Sequence, residues 1–322
     1  MKIARRAVLG ATLAAPALAS TAIAQDWPTR PVRCIIPYPP GGPTDLVGRV
    51  VAHRAQQDLG QPLVIDNRAG ASGTIGAGEV ARAAPDGQTF LMNASIHVII
   101  PHLRSLPFDA LNDFVPVTNM ALVPLVALVN PNLPVRSLQE LADYARANPG
   151  RISYASSSIG AAQHLAGEMF KQIAGVDMVH VPYRGAGPAI QDLIAGNVQV
   201  MFDSVPAGAS AVRQGLLRPL AATAPRRIAA YPDVPSTAEA GFPDLVISTW
   251  YGIWAPARTP MPIVERMQQA VAVAVQDDEV KSRLATLGAD PVAESPAEFA
   301  AFCRSEYEKF GQIVRTANIR IE

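Results

Sequence analysis

Tyr38-Pro39-Pro40-Gly41-Gly42-Pro43-Thr44-Asp45 joins a strand to a helix. Before it, Val32-Arg33-Cys34-Ile35-Ile36-Pro37 is short, apolar and β-branched, the composition of a buried strand. After it, Leu46, Val47, Val50, Val51, Ala55 and Leu59 recur at helical spacing until Gly60, a good C′ residue, ends the pattern. Gly41 and Gly42 let the backbone approach a ligand with no Cβ between them, and Pro43 suits the first helical position, where no N–H is needed. The stretch from Tyr38 to Asp45 therefore aims a strand at an open helix N-terminus. Such a terminus carries unpaired N–H groups and roughly half a positive charge, enough to hold a carboxylate or phosphate without a cationic side chain. Asp45 reads as a cap of its own helix, and its charge opposes a directly bound anion, which favours contact through waters.

Upstream, Lys2, Arg5 and Arg6 precede an apolar run from Ala7 to Ile23 that closes on Ala22-Ile23-Ala24. This reads as a secretory signal peptide over residues 1–24, cleaved after Ala24, so the mature chain is expected to be exported; Arg5-Arg6 leaves the twin-arginine and general export routes both open. Without that segment 24 basic residues stand against 27 acidic ones, a formal charge of −3, and nothing recommends nucleic acid or an anionic membrane as a partner. The remainder is long enough for two core-bearing domains. Cys34 and Cys303 are expected as two buried thiols on separate elements rather than a bridge.

Downstream, Leu63-Val64-Ile65-Asp66 reads as a strand leading into a glycine-rich stretch, 67–78, and a helix to Ala84. The G-x-G-x-x-A match at Gly76, Gly78 and Ala81 starts about ten residues past the strand, too far for a dinucleotide fingerprint. Thr89-Phe90-Leu91-Met92 is a third strand, ending in the polar Asn93-Ala94-Ser95. The apolar run from Phe114 to Val129, punctuated by Pro116 and Pro124, has the length to cross between domains, and Val246 to Ala255 to return, with Thr249, Trp250 and Tyr251 bordering a cleft. The first domain then comprises 26–125 plus 246–322 and the second 126–245.

Within the second domain, Ser137 and Glu140 make a capping box for a helix to Ala147. Three strand ends follow, each opening on Ser, Gly or Pro ahead of a helical pattern: Ser156-Ser157-Ser158-Ile159-Gly160, Tyr183-Arg184-Gly185-Ala186-Gly187-Pro188, and Asp203-Ser204 before a short helix near Pro206. In open α/β sheets ligands bind outside the carboxyl ends of the strands, so these openings and the first one are the expected lining of a site. Asp233 to Thr237 begins a further capped segment, and helices over 261–276, 278–287 and 296–317 pack the domain.

Catalytic readings fare worse. The serines at 156–158 lack the preceding glycine of a nucleophile elbow. His53, His97, His102, His164 and His180 show no metal-ligand spacing, and no cofactor is implied. His164 is more often a packed polar residue than a base in such a position, and Asp45 with Asp203 makes a carboxylate pair of unknown separation.

Taken in order, Pro39-Pro40-Gly41-Gly42-Pro43-Thr44-Asp45, Asp66-Asn67-Arg68, Ala84-Pro85-Asp86-Gly87, Tyr154-Ala155-Ser156-Ser157 with His164-Leu165, His180-Val181-Pro182-Tyr183-Arg184-Gly185, and Pro232-Asp233-Val234-Pro235 with Ala238-Glu239-Ala240-Gly241 span the mature chain. The chain resembles the Bug receptors, the periplasmic solute-binding proteins of tripartite tricarboxylate transporters. The resemblance implies an α/β, two-domain periplasmic-binding-protein fold of type II, a Venus flytrap whose cleft closes on a small carboxylate, with main-chain amides and bridging waters holding it. It implies a monomer that performs no chemistry and meets membrane subunits of a transporter. Carried onto this chain, Tyr38, Pro40, Gly41, Gly42, Pro43, Thr44 and Asp45 supply the first domain's share. Ser156, Ser157, Ser158, Gly160, Ala161, His164, Asp203 and Ser204 supply the second's. Ser158 and Ala161 replace the glycine and threonine often found there, and Asn93, Ser95 and His97 lie where selectivity is expected. Arg184 either clamps a second carboxylate or pairs with a surface acid; Asp203 orients water in preference to accepting from a ligand ammonium. The runner-up from another class is an exported α/β oxidoreductase or hydrolase. A regulatory effector domain is disfavoured by the export segment.

Overall fold

The computed structural model describes residues 27–183 and 185–319. The export segment and Arg184 thus lie outside the described residues.

Strands and helices alternate from the start. β1 (Val32–Ile36), α1 (Pro43–Leu59), β2 (Leu63–Asn67), α2 (Thr74–Ala81) and β3 (Thr89–Ala94) lead through the short α3 (Ile96–Ile99) to the 16-residue β4 (Phe114–Val129). Next come α4 (Leu138–Ala147), β5 (Ser153–Ser156), α5 (Ala162–Ala174), β6 (Val179–Pro182), α6 (Ala186–Ala195), β7 (Val200–Ser204), α7 (Val205–Arg213) and β8 (Arg218–Ala222). The chain ends on β9 (Ser248–Pro256), α8 (Met261–Gln276), α9 (Asp278–Thr286), β10 (Asp290–Pro291) and α10 (Pro296–Thr316).

The strands are ordered β2-β1-β3-β9-β4-β7-β5-β6, with β8 and β10 also pairing β4. Pairing is parallel at the two ends, where helices connect the strands, and antiparallel in the middle. β4 changes partners partway: up to Pro124 it runs beside β9, where Pro124 faces Ser248, and from Leu125 it runs beside β7, where Leu125 faces Ser204. The chain passes from one half of the molecule to the other at that change. Buried Thr223 ties the crossing strands, its amide donating to Leu125 O at 2.8 Å and its hydroxyl to Ile247 O at 2.6 Å.

Side-chain alternation explains why the strand sequences are apolar without a break. Cys34 and Ile36 enter one core with Phe90, Met92, Val47 and Val51, while Ile35 and Leu91 enter the core on the other face. The same period of two sends Val126, Leu128 and Met201 to a third cluster and Ala127 and Phe202 to the shared one. α10 starts at a full capping box of Ser295 and Glu298 and docks on β9 through Phe299, whose ring lies 5.7 Å from Trp250 and 5.2 Å from Trp254. Trp250 Nε1 donates to Glu306 Oε2 at 3.1 Å, so the indole is a packing anchor and does not border the cleft.

Some local expectations are corrected. The glycine-rich stretch forms a 3-10 turn at Ala71–Gly73 before α2, which stops at Ala81. Glu140 accepts from the Arg136 amide, completing only half of the box at Ser137. The segment begun at 233–237 is capped as expected, Ser236 Oγ accepting from the Glu239 amide and Glu239 Oε2 from the Ser236 amide, and it continues as turns. Cys34 and Cys303, by contrast, are free and buried as expected, in cores on opposite sides of the sheet.

Candidate functional site: a cleft between two lobes

The loop after β1 is folded by its own aspartate. Gly41 sits at φ 80°, a conformation that glycine takes without strain, and its amide donates to Asp45 Oδ2 at 2.9 Å. Arg49 Nε reaches the same oxygen at 2.8 Å, and Asn67 Nδ2 from β2 reaches Oδ1 at 2.9 Å. Burial alone would raise the Asp45 pKa, but these bonds and the Arg49 charge hold it below the usual carboxylate range. Asp45 is therefore not the cap of its helix: the N-cap is Gly42, with no side-chain cap, and the aspartate reaches back to shape the loop. Its charge is met by Arg49, which removes the expected opposition to an anion.

Behind the loop, Tyr38 donates to Asn93 Oδ1 at 2.7 Å, and Asn93 Nδ2 lies 3.3 Å from His97 Nδ1. The other ring nitrogen of His97 is 3.1 Å from Ala110 O, so Nε2 carries the proton and Nδ1 accepts. Burial pushes His97 down to about 4, opposed by the bond to Ala110. The Asn93 amide is used up in supporting Tyr38.

In the other lobe the serine loop rests on two stacked imidazoles. His164 and His180 lie 3.7 Å apart between ring centroids, tilted by only 7°. His164 Nδ1 accepts from the Gly160 amide at 3.1 Å, and Ser156 Oγ sits 2.7 Å from His180 Nε2 while donating to Ser158 O at 3.0 Å. Burial drives both rings down, His164 to about 3 with help from the charges of His180 and Lys171, and His180 to about 4 with help from Lys171. A neutral stacked pair suits a scaffold and gives no base poised near neutrality.

Between the lobes are two adjoining cavities of about 340 and 460 Å³ that share Pro43, Ser157, Gln163, Ser204 and Tyr251. Tyr38, Pro39, Gly42, Thr44, Ala94, Ser95, Ile96, Ala161, Ala162 and Thr249 complete the first. The second, more enclosed, is walled by Leu46, Val47, Val123, Gly185, Ala186, Asp203, Ala207 and Leu287. A groove of about 410 Å³ beside His53 and Arg283 belongs to the first lobe alone.

Helices α1, α5, α6 and α7 all begin at this cleft, with Gly42, Ala161, Gly185 and Ser204 as N-caps, and none has a side-chain cap. Their first-turn amides have no partner within the helix. The sole acid in any of those first turns is Asp45, already paired.

Asp203 closes the strand before α7. Its Oδ1 accepts from Gln163 Nε2 at 3.0 Å and from the Ser204 amide at 2.7 Å, while its Oδ2 is buried with no hydrogen-bond partner among the described residues. Burial pushes the Asp203 pKa up to about 6, against the pull of the bonds from Gln163 and Ser204.

Of the residues singled out from sequence, Tyr38, Gly42, Pro43, Thr44, Ser95, Ser157, Ala161, Asp203 and Ser204 line the cleft. Pro40, Gly41, Asp45, Asn93, Ser156, Ser158, Gly160 and His164 do not: most of them hold the two loops in shape, and Pro40 lies exposed on the first. Gln163, on the first turn of uncapped α5, was missed; a polar residue at that position was the available signal.

Two α/β lobes joined by strands that cross between them, around a cleft of helix N-termini, define a periplasmic solute-binding protein. Residues 47–319 match the family described as "Tripartite tricarboxylate transporter family receptor", and the chain belongs to it. It is 36% identical to Protein BugT of Bordetella pertussis (strain Tohama I) over 319 residues, 98% of each chain. Among solved structures, an R. palustris protein with adipate is 36% identical at a TM-score of 0.80, covering 92% of this chain and 100% of that one. MatC from Rhodopseudomonas palustris, with bound malate, is 32% identical at a TM-score of 0.76, covering 89% and 100%. The family is one of receptors rather than enzymes. Among the described residues no helix is long and apolar enough to cross a membrane.

Proposed function

We propose that this receptor captures a small carboxylate between lobes formed by 26–125 with 246–322 and by 126–245, and presents the closed form to the membrane subunits of a tripartite transporter. The observation that carries the reading is the meeting of four uncapped helix N-termini, one from the first lobe and three from the second, on one cleft. Partial positive charge and free amides favour a carboxylate, and a ligand touching both sets holds the lobes shut. The adipate and malate bound by the two R. palustris proteins support the ligand class. Gly42, Pro43, Thr44, Ser157, Ala161 and Ser204 are the residues expected to contact the carboxylate, through main-chain groups, hydroxyls and bridging waters.

A thermal-shift screen of mono-, di- and tricarboxylates and acidic amino acids tests this. A true ligand at about 100 times its Kd adds about 2.7 kcal/mol of stability. Gly42→Val should abolish that gain with the fold intact, because Gly42 has an extended backbone (φ −73°, ψ 165°) and an added Cβ would meet only Pro39 O at 3.5 Å. No shift with any carboxylate, or turnover of a compound that binds, would sink the reading.

A further inference from the structure

The more enclosed cavity has a chemistry that a plain carboxylate does not satisfy. Leu46, Val47, Val123, Ala186, Ala207 and Leu287 give it apolar walls. Set among them is Asp203, fully buried, with one oxygen occupied twice and the other, also buried, without a partner among the described residues. An unpaired carboxylate oxygen is costly in such surroundings, and a donor brought to it gains correspondingly more than it would in water. A second carboxylate placed there would meet an acid; an apolar body carrying a donor would fit both the walls and the oxygen.

We propose that the cognate ligand is a carboxylate that also carries a hydrogen-bond donor, an ammonium or hydroxyl group, and that this donor docks on Asp203 Oδ2 while the carboxylate sits at the helix N-termini. The proposal rests on the carboxylate-receptor reading above and narrows it to amino and hydroxy acids. Gln163 and Ser204 then have a defined part: by donating to Oδ1 they fix the carboxyl plane so that Oδ2 is the oxygen left to the ligand.

Matched acids sharing one carbon skeleton decide it: 3-phenylpropionate, 3-phenyllactate and phenylalanine; 4-methylpentanoate, its 2-hydroxy analogue and leucine; succinate, malate and aspartate. Their affinities are measured by calorimetry on the mature protein and on Asp203→Asn. In at least one set a donor-bearing member should bind about tenfold or more tighter than its plain counterpart, the worth of a bond to a charged group. In Asp203→Asn the amide can place a donor where Oδ2 stood, so that ratio should fall below about threefold or reverse. Equal affinities throughout every set in the wild type, or a preference that survives in Asp203→Asn, overturns the proposal and leaves the carboxylate reading standing. Silence with every acid overturns both. The wild-type ratios decide the matter even if the variant does not fold.

Discussion

Asp45 and Asp203 stand at the starts of helices on opposite lobes, both buried, and differ in what they are given. Asp45 receives three donors, from Gly41, Arg49 and Asn67, and its pKa is held low. Asp203 receives the Gln163 and Ser204 donors on one oxygen, with none on the other among the described residues, and burial lifts it to about 6. The same side chain is therefore structural in one lobe and unfinished in the other. In the first lobe the charge of the loop aspartate is already paired; in the second, Asp203 Oδ2 is buried with no partner among the described residues. On the proposed reading, affinity for a carboxylate comes from both lobes, and Asp203 gives the second a part in choosing between carboxylates.

The largest effect is expected at the finished site. Asp45→Asn keeps the shape but turns an acceptor into a donor facing Gly41, Arg49 or Asn67, and leaves Arg49 without its partner. Removing one partner from a buried, charge-assisted network should cost about 3 kcal/mol. Urea denaturation would register this as a lower midpoint with an unchanged slope. A cost below about 1 kcal/mol would mean that the loop holds its shape without the aspartate.

A smaller effect of opposite sign is expected at the unfinished one. The folded pKa of Asp203, about 6, lies above the value of about 3.9 for an unfolded aspartate. The folded state then takes up the proton first as pH falls, so the penalty is fully present above pH 6 and disappears by about pH 4. Asp203→Asn removes it, so the ligand-free variant should exceed the wild type by up to ~3 kcal/mol at pH 7, roughly 1.36 kcal/mol for each pH unit between those two pKa values, with variant and wild type converging near pH 4. His97, His164 and His180, depressed to about 4, 3 and 4, destabilise both proteins below pH 6.5 and cancel in the difference. A constant gap across that range would show that Asp203 is not the strained group.

What could be read from the sequence follows from how local each feature is. The helix openings at Gly42, Ala161, Gly185 and Ser204 were legible because glycine, proline and serine at strand ends act through the backbone within a few residues. The run at 114–129 was legible as longer than an ordinary strand, and it changes partners between Pro124 and Leu125. By contrast, Asp45 was misread as a cap although Arg49 stood one helical turn away, and its third donor, Asn67, comes from a neighbouring strand that no spacing rule reaches. His164 could not be placed without His180, which arrives beside it because β5 and β6 pair with Tyr154 opposite His180. The orientation of the Asp203 carboxylate depends on Gln163, 40 residues earlier, which holds Oδ1. Registers between distant segments set all three, and composition does not encode them.

The smallest effect tests whether the first lobe is as settled as its aspartate suggests. Tyr38 lines the cleft, yet its hydroxyl is spent on Asn93 Oδ1, which also accepts from the Ala94 amide at 2.8 Å. Tyr38→Phe therefore removes one donor from an oxygen that keeps another, and should cost only about 1 kcal/mol of stability. If the hydroxyl serves only this relay through Asn93 to His97, ligand affinity should change less than about threefold, since the ring still fills the wall. A tenfold loss of affinity with unchanged stability would instead move the Tyr38 hydroxyl from the scaffold to the ligand. The first lobe would then share in ligand discrimination with Asp203 of the second.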